Sequence, residues 1–139
     1  ARSMLESEAW RAMTIGARRV VERIELEHMA HAGTMNGELK VTYDDFARYG
    51  LSSRHMTSES IRIAEKLGFI DVVERGVRAF GDARRPSRYA LTWLPRCDRT
   101  PATNRWQRIT TRAAARAAVA AARANAKTSA PMWTIARAA

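Results

Sequence analysis

Two glycines, Gly50 and Gly68, bracket the stretch LSSRHMTSESIRIAEKL, and this constrains the fold more than any other feature of the chain. Glycine tolerates the left-handed backbone that ends a helix, so each marks a stop. Upstream, TYDDFARY reads as a short helix capped by Thr42, with Asp44 and Asp45 in its first turn, where acids suit the helix dipole. Phe46 and Tyr49 are its apolar anchors. Downstream, the spacing predicts a second helix from Arg54 to Leu67, burying Met56, Ser60, Ile63, Ala64 and Leu67 at steps of three and four.

The flanking segments complete the order. Ser7 caps a short first helix with Trp10 and Met13 on its apolar side. Thr14 caps a longer one running to about Ala32, with Ile15, Val20, Val21, Ile24 and Met29 at roughly helical spacing. Gly33 and the turn pair Asn36-Gly37 end it. ELKV (38–41), FIDVVERG (69–76) and RYALTWLP (88–95) read as strands, and the last two flank the polar, basic loop VRAFGDARRPS. The fold class expected is mainly α with a small β-hairpin: a winged helix-turn-helix domain over residues 1–95. Residues 96–139 follow as a linker (CDRTPATN), a basic alanine-rich helix from about Thr103 to Lys127, and an apolar tail containing Trp133.

Charge divides at the same place. The chain of 139 residues carries a net +10. Residues 1–95 hold 15 Lys/Arg against 13 Asp/Glu, whereas residues 96–139 hold nine against one. This asymmetry suggests a polyanionic partner. On one continuous helix, Arg105, Arg108, Arg112, Arg116, Arg123 and Lys127 would share a stripe about 100° wide and roughly 30 Å long. Three readings stand for it: a phosphate-contacting face, an arginine edge beside an alanine face that packs on a second copy, or a solvated helix. Met132, Trp133 and Ile135 are apolar enough to dock on this domain or on a partner.

The polar start of the second helix fits entry into a DNA major groove, where small hydroxyls and cations approach phosphates and base edges. Candidate contacts are Ser52, Ser53, Arg54, His55, Thr57, Ser58 and Arg62. The basic hairpin adds Arg75, Arg78, Arg84, Arg85 and Arg88, and the C-terminal stripe adds Arg105, Arg108, Arg112 and Arg116. The stretch NGELKVTYDDFARYGLSSRHMTSESIRIAEKLGFIDVVERG, followed by SRYALTWLP, resembles the small winged helix-turn-helix proteins of bacterial phages, plasmids and integrated elements. The resemblance rests on Asn36-Gly37 before a short strand, Gly50 between the helices, LGFI at 67–70, Gly76 and RYALTW at 88–93, over about residues 7–95. The sequence departs from the commoner pattern with FGDARRP in the wing. The resemblance implies DNA binding as a regulator or replication-initiator-like protein, and no enzyme activity on this domain.

Other chemistry has little support. Cys97 is the only cysteine, so an intramolecular disulfide is excluded and a reducing, intracellular setting is expected, which the resemblance implies is a bacterial cytoplasm. The N-terminal ARSMLESEAW lacks the apolar core of a signal peptide, and no apolar run reaches membrane-spanning length. His28 and His31, near Glu25 and Glu27, do not by themselves make a metal site. No phosphate-cradling glycine motif is present, so neither cofactor nor metal is expected. The sequence thus points to sequence-specific double-stranded DNA binding, by a homodimer because one small module supplies limited affinity. The alternatives are an adaptor that binds a protein through the winged helix, C-terminal helix and Trp133, or an RNA-binding protein.

Overall fold

A computed structural model describes residues 2–76 and 86–128, with side chains described as far as residue 124. The chain is mainly helical with a small three-stranded antiparallel sheet. Helices α1 (Arg2–Leu5), α2 (Glu8–Ala12) and α3 (Ile15–Ala30) precede strand β1 (Leu39–Lys40). Helices α4 (Tyr43–Arg48) and α5 (Arg54–Lys66) follow, then β2 (Ile70–Glu74), β3 (Arg88–Leu91), a 3-10 turn at Arg105–Arg108 and α6 (Arg112–Thr128). The sheet order is β1-β3-β2: the strand expected at 38–41 is confined to Leu39–Lys40 and joins the hairpin with Leu39 opposite Tyr89.

Local chemistry sets the boundaries. Ser7, Thr14 and Ser53 each accept the backbone N–H of the third residue of the helix they start. Thr42 and Asp45 form a reciprocal capping box. The Thr42 N–H donates to the Asp45 carboxylate, which holds that carboxyl below its usual range. At the end of α5, Gly68 has φ +88, and a Cβ there would stand 2.5 Å from the Trp106 nitrogen.

The core is built where α3, α5 and the sheet meet. The stripe of α3 that is buried comprises Ala17, Val20, Val21 and Ile24, while Ile15 and Met29 are exposed. Those two lie about 130–180° away from the stripe's centre on the helical wheel, so they cannot share its face. Met56 is likewise exposed, and α5 buries Thr57 and Ile61 beside Ser60, Ile63, Ala64 and Leu67. Gly16 lets α3 approach α5 closely, since a Cβ would fall 2.3 Å from the Ser60 hydroxyl. Asn36 is buried as a clamp: its amide donates to Leu91 O and accepts from Leu91 N, and it also reaches Leu94 O and Pro95 O.

The C-terminal segment shares this core. Trp106 stacks on Phe69 with centroids 6.4 Å apart, and Trp10 meets the same Phe69 edge-on. Ala115 and Ala122 are fully buried. Residue 95 therefore marks a change of composition, not an edge of the core. The expected single helix from Thr103 is also broken. Asn104 takes a left-handed backbone, φ 46, and α6 starts only after Thr111, whose hydroxyl accepts from Ala114 N. Burying Trp106 on Phe69 diverts the chain before the alanine run can become helical.

Candidate nucleic-acid interface

The segment α4–turn–α5 presents its polar residues unevenly. Ser52, Ser53, Arg54, His55 and Met56 are all exposed. Ser53 is the cap, with its hydroxyl accepting from Met56 N at 3.1 Å, and Ser52 lies against the Met56 sulfur. The Arg54 guanidinium sits 5.7 Å from the centre of the Tyr43 ring, a cation–π contact that aims it from the helix start. The Tyr43 hydroxyl in turn lies 2.7 Å from the Ser58 hydroxyl, so Ser58 is half-buried and engaged. Tyr43 is a positioning residue that sequence reading missed, since one tyrosine after a capping threonine carries no distinguishing signal.

Other expected contacts are turned to internal work. Thr57 is 2 % exposed and donates its hydroxyl to Ser53 O, because its position on the wheel faces the core. Arg62 donates from Nε to Ala122 O of α6, which lies along that side of α5. One of its terminal nitrogens is buried without a partner. Arg88 is held between Glu38 and Glu74, which strengthen its hold on its proton and cancel its charge toward solvent. Arg105 donates to Asp71 and to Ile70 O from a site about a quarter exposed, and Arg96 bonds the same Asp71. Thr57, Arg62, Arg88 and Arg105 were expected on the outer surface; the structure folds them into caps, ion pairs and helix packing.

The remaining cations stay outward. Arg75 is 73 % exposed, 3.6 Å from Glu65. Arg108, Arg112 and Arg116 are exposed. Because the 3-10 turn is separate from α6, Arg105 and Arg108 do not continue the stripe of Arg112, Arg116 and Arg123. Arg78, Arg84 and Arg85, with the tail residue Trp133, lie outside the described residues.

Helix α6 runs antiparallel to α5. The segment enters beside Gly68 and Phe69 through Trp106, and further along Ala122 and Arg123 reach Arg62 and Glu59. Glu59 pairs with Arg123 at 3.2 Å. With α6 lying against Glu59 and Arg62, the longest exposed run at α5 is the segment from Ser52 to Met56 at its start. No described helix is long and apolar enough to cross a membrane. Compared with known proteins, the chain matches no family model, no curated protein and no solved structure.

Proposed function

We propose that the chain is a winged helix-turn-helix protein that binds double-stranded DNA, a regulator or replication-initiator-like protein of a bacterial mobile element acting as a homodimer. The order α3–β1–α4–α5–β2–β3 with an antiparallel sheet supports the winged-helix reading. The observation that carries the function is the entry to α5, where five consecutive residues from Ser52 to Met56 are exposed and Arg54 is steered by Tyr43. Base reading is assigned to Arg54 and His55, with Ser52 contributing to a phosphate. Arg75, at the base of the hairpin, grips the backbone beside it. The adaptor reading keeps one supporting observation: Ala113, Ala117, Ala120 and Ala124 of α6 are exposed, a smooth face on which another helix can lie.

Selection of bound fragments from a random duplex pool tests the proposal. The expected result is a recovered site bound in a salt-dependent way. Replacing Arg54 and His55 together by alanine should cut discrimination between that site and random duplex by about 5- to 150-fold, the worth of one good base contact. Absence of salt-sensitive binding to any duplex refutes the function.

A further inference from the structure

A cavity of about 930 Å³ lies between α2 and α6. Its lining includes Arg11 of α2 and Arg112, Arg116, Val119 and Arg123 of α6. The three α6 arginines recur at steps of four and seven, so they fall within about 40° of one another on the helix. The buried alanines Ala9, Ala115 and Ala122 keep α2, α5 and α6 close enough to make a groove of this face. Glu8 is the one carboxylate in the lining and bonds Arg11 at 2.7 Å, while Arg123 bonds Glu59. Among the described residues, Arg112 and Arg116 make no ion pair and are exposed.

Two properties select the ligand. From Arg112 to Arg123 the cations extend over about 16 Å, at 1.5 Å per residue. That length suits a chain of phosphates, one per about 3.4 Å of strand, better than a single anion. The apolar part of the lining, Ala12, Val119, Ala120 and Ala124, offers no side-chain donor or acceptor to a base. The groove's Arg123 end joins α5 at Glu59, one turn beyond His55 on the same side of that helix. We infer that this groove is a backbone track: it holds the phosphates of duplex DNA flanking the bases that the first turn of α5 reads. The inference rests on the DNA-binding reading above and adds a second, sequence-independent contact to it. Arg11 becomes part of the interface, although nothing in the sequence links it to residues a hundred positions later. Glu59 acts as a stand-in anion, since its carboxylate occupies Arg123 until phosphate replaces it.

The test uses the full chain and the duplex that the wild type selects, with binding measured by anisotropy between 50 and 200 mM salt. Replacing Arg112 and Arg116 by glutamine should flatten the log–log salt slope by about 1.8, two phosphates' worth, so that over this range the variant loses about 12-fold less affinity than the wild type. Its preferred sequence and its melting temperature should not change. Trimming the flanks of the wild type's duplex should flatten the slope likewise, which tests the track with no variant at all. Glu59→Gln should raise affinity. If the glutamine variant and the trimmed duplex keep the full slope while the wild type binds salt-dependently, the track is refuted and the DNA reading stands. A changed sequence preference in the variant also refutes it, as base contact would then occur in the groove. If the wild type binds no duplex, both readings fall.

Discussion

Arg105 separates a cation that holds the fold from one that meets a ligand. On one uninterrupted helix it would lead the basic stripe; in the structure it is a strut between the C-terminal segment and β2. Its Nε donates to Asp71 at 2.9 Å and a terminal nitrogen donates to Ile70 O at 2.8 Å. Arg105→Ala removes these bonds and leaves Asp71 to Arg96 alone. Bonds to charged groups contribute about 1.5–3 kcal/mol each, and solvent at a site one quarter open reduces that, so a net loss of about 2–3 kcal/mol is expected. For a chain of this size that lowers the melting midpoint by about 6–10 °C. Far-ultraviolet circular dichroism on heating reads the midpoint. The same variant, assayed for DNA at a temperature where it is fully folded, should keep the wild-type salt slope. Asp71→Asn should destabilise similarly, and the double variant should cost less than the two singles together, because they share one contact. A midpoint within about 2 °C of wild type, or an intact midpoint with a flattened salt slope, would show that Arg105 faces a ligand and refute the strut.

Three further predictions probe the frame around the proposed interface. Trp106→Ala should cost about 3–5 kcal/mol, the range for emptying a large aromatic site. Truncation after Pro95 should abolish cooperative urea unfolding for the same reason, and a sharp, reversible transition of residues 1–95 alone would contradict it. Asp45 gives a pH signature. Its carboxylate accepts the Thr42 N–H, which lowers its pKa in the folded state. The capping box therefore adds stability above the ordinary carboxylate range, and that part is lost as pH falls through the lowered value. Wild type should lose more stability than Asp45→Asn below about pH 4, and identical acid profiles would discard the cap's role.

The sequence made the elements legible where one local cause sufficed. Gly50 and Gly68 end helices, with φ of +114 and +88, and Ser7, Thr14, Thr42 and Ser53 begin them as capping chemistry dictates. What was hidden depends on partners far along the chain. Asn36 reads as half of a turn signal, yet its amide binds Leu91, 55 positions on. Arg62 reads as groove-facing until Ala122 accepts its bond, 60 positions later. Arg88 reads as a wing cation until β1 and β2 place Glu38 and Glu74 beside it. In the site, the exposed start of α5 was legible, because a cap leaves its neighbours in solvent. Arg11 was not, because only the docking of α6 on α2 gives it company.

The alanines of α6 explain both the narrowing of the reading surface and the groove. High alanine content favours a helix anywhere, so composition alone predicts an appendage. In place, Ala115 and Ala122 are fully buried and let the α6 backbone come close enough for Arg62 to bond Ala122 O. A larger side chain at either position would hold the helices apart and break that bond. Close docking lays α6 against α5 at Glu59 and Arg62, so under the DNA-binding reading a duplex would meet chiefly the segment from Ser52 to Met56. The same docking sets Arg112, Arg116 and Arg123 opposite Arg11. A short reading turn supplies few base contacts and little affinity of its own, and phosphate contacts are what supply affinity without sequence. Ala122→Leu should therefore move both properties together, exposing Arg62 while taking the α6 arginines out of register with Arg11. That coupling is the consequence of building the reading turn and the groove on one seam of small side chains.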